Sequence, residues 1–195
     1  MLFRSTTSTM ATFLLIYTAT AHASVCIVKD GEVLGSLETS DQKSHASFIQ
    51  PAIESLCKQT GTALNTIDAI GISLGPGSYT GLRVGMATAK GIAYATGKPL
   101  IGINTLQIIA AAAMSKHPSH NGSISSLLDA RRMEVFTGIY AHTLEPLTTS
   151  TALILDAQSF ENELEKSPIL FVGDGAQKFK EICSHASAIF DSSLT

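Results

Sequence analysis

The chain has 195 residues, of which 45% are apolar and only 15% charged, and its formal net charge is −3. That length can bury the core of one large domain or two small ones, and so little charge favours a protein that associates. A net acidic chain with no basic run excludes an extended nucleic-acid interface built by this chain alone on phosphate neutralisation.

At the N-terminus, Arg4, the apolar Phe13 to Ile16 and the triplet Ala21-His22-Ala23 have the layout of a secretory signal. The apolar core is too short for one, since a signal needs roughly 7–15 such residues. Met10 therefore reads as a natural start behind a disordered polar leader, residues 1–9, and the expected location is cytoplasmic. No apolar run reaches membrane-spanning length, so no membrane partner is expected. Cys26, Cys57 and Cys183 are odd in number and far apart, as buried thiols in a reducing compartment are. The histidines form no His-x-x-x-His or His-Glu-x-x-His pair, and His117 and His120 sit in a loop rich in Pro, Ser and Asn. No metal site is expected.

Phe13 to Tyr17 is a continuous apolar run, the pattern of a central buried strand. Ser24 to Val28 and Glu32 to Leu37 follow as strands around Lys29-Asp30-Gly31, where Asp-Gly signals a hairpin. From His45 the period changes to that of a helix. Phe48, Ile49, Ala52, Ile53, Leu56 and Cys57 share one side, with Ser47, Glu54 and Lys58 opposite. Pro51 is tolerated only near a first turn, so this helix should kink or begin late, and Gly61 should end it.

Ala69 to Leu74 is the next strand, stopped by Gly75-Pro76-Gly77, and a helical pattern opens after Ser78 and Thr80, over Gly81 to Ala95. Ser78 or Thr80 can cap it. A glycine-rich turn ahead of a helix attracts anions, which makes Gly75, Gly77 and Ser78 phosphate-loop candidates. Asp129 is the one acidic loop residue placed to join them. The specific fingerprints are missing, because Gly81 is followed by Leu82 and Arg83 rather than Lys and Ser/Thr, and Thr80 stands where a dinucleotide fold needs glycine. Loops of this kind more often serve as structural turns. The helix itself carries Gly81, Gly85, Ala89 and Ile92 on one side, extended by Val84, Thr88, Gly91 and Ala95. Only Arg83, Lys90 and Tyr94 form a polar strip. Such a helix needs covering by more than one neighbour; one is the sheet, and the other belongs either to this chain or to a partner.

Gly97-Lys98-Pro99 closes the helix and Leu100 to Ile103 is a short strand. Asn104 or Thr105 caps a helix over Leu106 to Met114, and Ser115 to Ser123 is a surface loop. Ser125 to Leu128 and Met133 to Tyr140 are strands around Asp129-Ala130-Arg131, whose Asp and Arg can satisfy each other. No element is read between Tyr140 and Ser159. Ser159 to Lys166 is a short polar helix, Ile169 to Val172 a strand, and Gly173-Asp174-Gly175 a turn into a last helix, Ala176 to Ala186. Strands in pairs alternating with helices give an α/β layered fold with mixed sheets.

These stretches resemble the TsaB family, also called YeaZ-like and once grouped with glycoprotease-like proteins, which serves threonylcarbamoyladenosine biosynthesis in tRNA modification. The likeness runs through Thr18-Ala19-Thr20, the helix from His45 with Pro51, GPGSYTGLRVG from Gly75 to Gly85, Ala89-Lys90-Gly91-Ile92-Ala93, Gly102-Ile103-Asn104-Thr105-Leu106 and Asp129-Ala130-Arg131. It implies the actin, sugar kinase and heat-shock ATPase type of fold, with two similar lobes, residues 10–103 and 104–195, each on a mixed sheet. It also implies a non-catalytic subunit that pairs with a TsaD-type catalytic subunit, joined by a TsaE-type ATPase. The tRNA is met only indirectly, and ATP or ADP only at the interface of the complex. The contact surface implied comprises His45, Phe48, Ile49, Ala52, Ile53 and Leu56 with Arg83, Val84, Gly85, Ala87, Thr88 and Gly91. Two departures stand out. Tyr17 replaces the family's usual acidic residue, which weakens ATP chemistry, and the sequence stops at Thr195 short of the family's usual tail, so a shortened second lobe is expected.

Two other functions fit the residues less well. A nucleotide phosphotransferase or metallopeptidase-like enzyme of the same fold would need a metal-organising carboxylate or paired ligands, and Ile49 stands four residues after His45. A homodimer through the same helices is compatible with the periodicity. A charge at Gly85 is expected to abolish association through the glycine side of the helix.

Overall fold

The structure is a computed structural model that describes residues 10–41 and 44–194, so the expected leader over residues 1–9 lies outside it. Its chain divides into two compact units. One holds residues up to Thr18, His22–Ile72 and Arg83–Gly102; the other holds Ala19–Ala21, Ser73–Leu82 and the chain from Ile103 onward.

The first sheet contains β1 (Thr12–Tyr17), β2 (Ala23–Lys29), β3 (Glu32–Thr39), β4 (Ala69–Gly75) and β5 (Leu100–Asn104), in the order β3-β2-β1-β4-β5. β1 runs antiparallel to β2 and parallel to β4. The β2–β3 hairpin turns at Asp30 (φ 54°) and Gly31 (φ 84°), the left-handed pair that Asp-Gly favours. Asp30 then ties the sheet's beginning, since its carboxylate accepts the Ala11 amide at 2.9 Å and its own amide donates to the Ala11 carbonyl at 3.0 Å. Two helices, α1 (His45–Thr60) and α2 (Tyr79–Thr96), bury one side of this sheet around Leu14, Ile16, Val25, Ile27, Ile70 and Ile72. α1 starts at His45 and continues through Pro51, so the expected late start does not occur. Pro51 is exposed, and the ring costs one hydrogen bond of the helix while its apolar side still packs. Gly61, at φ 66°, caps α1 by donating to the Cys57 carbonyl.

The second sheet contains β6 (Ser123–Asp129), β7 (Glu134–Tyr140), β8 (Thr151–Ile154), β9 (Ile169–Val172) and β10 (Ala188–Asp191) in the order β10-β9-β6-β7-β8. β6 runs antiparallel to β7 and parallel to β9. Counted within its own unit, this is the same strand order as the first sheet. One side is covered by α3 (Thr105–Lys116), whose Leu106, Ile109, Ala110 and Ala113 meet Ile124, Leu128, Leu170 and Val172. The other side is covered by α4 (Glu161–Leu164) and α5 (Ala176–Ile182) around Leu127, Val135, Ile139 and Phe171. Phe160, Phe171, Phe179 and Phe190 form an aromatic nest there, with Phe171 and Phe179 edge-on at 4.9 Å between centroids. β8 and β10 are the strands that periodicity missed, and α5 is four residues shorter than the expected span because Cys183 turns extended.

Candidate functional site

Ser78 rather than Thr80 caps α2: its hydroxyl accepts the Gly81 amide at 3.3 Å, and the helix begins at Tyr79. Ahead of it, Gly75 (φ 111°) and Gly77 (φ 153°) flank a cis Gly75–Pro76 bond. The turn is fixed by the chain itself. The Ser78 amide donates to the Ala19 carbonyl at 2.7 Å, and a Cβ at Gly77 would stand 2.2 Å from that oxygen. One of the N–H groups that a phosphate would need is therefore already committed.

Asp129, the acidic residue placed with this loop by sequence, is exposed at the end of β6 and engaged by other groups. Its carboxylate accepts the Lys178 ammonium at 2.8 Å and the Arg131 amide at 2.6 Å. The expected Asp129–Arg131 pairing thus runs through the arginine's backbone, and the charge partner is a lysine 49 positions later, for which sequence spacing gives no sign. Partial burial pushes the Asp129 carboxyl up, but the Lys178 hydrogen bond, the Arg131 amide and the lysine's charge outweigh it, leaving the group below its ordinary value. Its neighbour Asp174 moves the other way: burial raises it, although it accepts the Asp129 amide at 2.7 Å. Among the described residues no group of three or more His, Cys, Asp or Glu is arranged to hold a metal ion. The three cysteines are free thiols, half-buried rather than fully buried as expected.

The residues assigned to a partner surface separate by burial. His45, Ile49, Ala52, Ile53 and Leu56 are buried in α1, and four of the five belong to the core over the first sheet. Gly85 is buried too, because α2 crosses the sheet so closely there that a Cβ would lie 2.4 Å from the Thr18 hydroxyl and 3.1 Å from Ile72. Glycine at 85 serves the chain's own helix–sheet contact, so a charge placed there would disrupt the fold before it met a partner. Arg83, Ala87 and Gly91 are exposed, and Phe48, Val84 and Thr88 are half-buried. A side chain at Gly91 would meet nothing within 4 Å.

Between α1 and α2 lies an apolar groove of 460 Å³. Ile53, Glu54 and Cys57 line one wall, and Ala87, Thr88, Gly91 and Ile92 the other. Burial raises the Cys57 thiol and so favours its neutral form, while Glu54 on the same wall carries a charge paired with Lys58 at 2.6 Å. Sequence periodicity had Cys57 and Ile92 on the apolar sides of their helices; only the structure shows the two sides meeting in a trough. No helix among the described residues is long and apolar enough to cross a membrane.

The family model described as "TsaD: tRNA N6-adenosine threonylcarbamoyltransferase" matches residues 32–194. A TsaB protein of Bacillus subtilis is 31% identical over 175 residues, covering 88% of this chain and 74% of that protein. Its Haemophilus influenzae counterpart is 36% identical over 125 residues, and the chain spans 52% of that relative's length. A solved Pseudomonas aeruginosa protein, described as having similarity to peptidase YEAZ, superposes with a TM-score of 0.82 at 25% identity, over 95% of this chain and 85% of that one. Two mixed sheets with one strand order and helices packed on them are the actin-like ATPase architecture that the resemblance implied. With more than half its length inside the family model and 31% identity across most of a curated relative, the chain belongs to the TsaB family and carries a TsaD-type domain.

Proposed function

We propose that this chain is a non-catalytic scaffold in threonylcarbamoyladenosine biosynthesis on tRNA, holding a TsaD-type catalytic subunit against the groove between α1 and α2. The observation that carries this reading is the outer side of α2. Ala87 and Gly91 leave it exposed and flat beside an apolar trough, where a solvated helix would present charge. Small side chains let a partner helix approach closely, and an interface of about 800 Å² per partner could be built around them. The names of the relatives, tRNA threonylcarbamoyladenosine biosynthesis proteins, support the pathway. A TsaE-type ATPase completes the assembly in this proposal, and nucleotide enters only at the interface of the complex.

Reconstitution tests it. The catalytic subunit with this chain should form threonylcarbamoyladenosine on unmodified tRNA, the chain alone should form none, and Gly91→Glu should remove the stimulation. Modification by the chain alone would replace the scaffold reading with an enzymatic one.

A further inference from the structure

Beyond the groove, the tip of the β6–β7 hairpin carries an arrangement that the scaffold role does not use. Arg131 and Arg132 stand next to each other in left-handed backbone, at φ 72° and 51°. Glycine or asparagine would hold such positions with less strain, of order 1–3 kcal/mol per residue for other side chains. The turn is pinned by the Arg131 amide on Asp129 at 2.6 Å and by the Glu134 amide on the Arg131 carbonyl at 3.1 Å. Both arginines are exposed, and among the described residues neither guanidinium has an ion-pair or hydrogen-bond partner. Of the two carboxylates that stand two positions away, Asp129 is taken by Lys178 at 2.8 Å, and Glu134, which shares the concavity, forms no ion pair with either arginine among the described residues. The two arginines line a concavity of 530 Å³ with Ala130, Met133, Glu134 and Ile154. Its apolar members are open to solvent, Met133 at 38% and Ile154 at 72%.

From this geometry we infer that the concavity binds single-stranded RNA, with the two guanidinium groups on backbone phosphate and an unstacked base against Met133 and Ile154. Arginine suits both parts of the task, since its planar fork matches phosphate oxygens and its face stacks on bases. Two such groups make a local contact without the basic surface that the composition rules out. The site rests on the proposed role in tRNA modification and names where this chain would touch the RNA directly.

The test is fluorescence anisotropy of a labelled unmodified tRNA transcript and a labelled single-stranded oligoribonucleotide, titrated with the chain alone at several salt concentrations. Using the chain alone separates this site from the partner-dependent reading. Arg131→Gly/Arg132→Gly keeps the left-handed backbone accessible and should weaken binding about tenfold. It should also reduce the slope of log affinity against log salt by about 0.7 for each phosphate that is no longer neutralised. Arg131→Lys/Arg132→Lys, which retains the charge, should keep most of the slope. Wild-type chain that binds neither RNA, or glycine variants with unchanged affinity and slope, would overturn the inference. Unchanged RNA binding together with failure to co-elute with the catalytic subunit would overturn it too, and would mark the tip as a protein-binding surface.

Discussion

Gly77 lies against the carbonyl of Ala19, with its Cα so placed that a Cβ would sit 2.2 Å from the oxygen that accepts the Ser78 amide at 2.7 Å. The second sheet repeats the device. A Cβ at Gly173 would stand 2.3 Å from the Leu127 carbonyl, which accepts the Gly175 amide at 2.9 Å. In both places a Gly-x-Gly turn leaves the fourth strand of its sheet and closes on the chain at the end of the first. This makes the glycines at 77 and 173 requirements of close approach, with phosphate binding unnecessary to explain them. Gly77→Ala should therefore cost about 2–4 kcal/mol, from left-handed backbone and overlap together, read as a lower midpoint in urea.

Along α2, two glycines six residues apart should respond in opposite directions. Gly85→Ala pushes into Thr18 and Ile72 and should destabilise by about 1–3 kcal/mol. Gly91→Ala meets open space and should stabilise by about 0.8–1 kcal/mol through helix propensity. Thermal unfolding of the two single variants against the parent chain decides the matter. A loss of stability at both positions would mean that the outer side of α2 is covered within the chain.

Asp191, at the end of β10, is held by Lys116 at 2.9 Å and His117 at 2.7 Å from the end of α3, and by the Ser193 hydroxyl. Hydrogen bonds from Ser193, His117 and Lys116, in that order, drive its carboxyl far below the usual range. A depressed carboxyl stabilises the fold above its unfolded value, near pH 4, and that contribution disappears as pH falls toward the folded value. Stability should thus decline below about pH 4, and Asp191→Asn should flatten that limb of the profile. At neutral pH the same variant should lower Tm by about 2–4 °C, for a loss of about 1 kcal/mol after allowing for the exposed lysine. An identical acid limb in parent and variant would rule the clamp out.

Phe171 is fully buried and touches three other rings of the aromatic nest. Phe171→Ala should cost about 3–5 kcal/mol and should lower the unfolding midpoint accordingly. Phe171→Leu, which keeps most of the volume, should cost less; equal effects would show that the nest tolerates a cavity.

Much of the architecture was legible in sequence because its strands are apolar runs bounded by Gly, Pro and Asp. β1, β4 and β9 announce themselves in this way, as does the Asp30-Gly31 hairpin. β8 was not legible: Thr151–Ile154 has exposed residues on both sides and follows a run of Thr and Ser that reads as loop. β10 was hidden by the expectation that the preceding helix ran on to Ala186. The partner surface was half legible. Helical periodicity places Gly81, Gly85, Ala89, Gly91 and Ala95 on one broad small-residue surface, but it cannot say which edge faces the sheet. That depends on the crossing of α2 over Thr18 and Ile72, a tertiary contact. Likewise, the Lys178 that holds Asp129 has no local signature.

Whether the outer side of α2 receives a catalytic partner is decided by size-exclusion chromatography with light scattering. Wild-type chain mixed with a TsaD-type subunit should elute as a complex. Gly91→Glu, with a Tm no lower than the parent's, should elute as the free chain. A Gly91→Glu variant that co-elutes as the parent does, or a parent chain that stays apart from the catalytic subunit, would show that the outer side of α2 is not the surface that receives the partner.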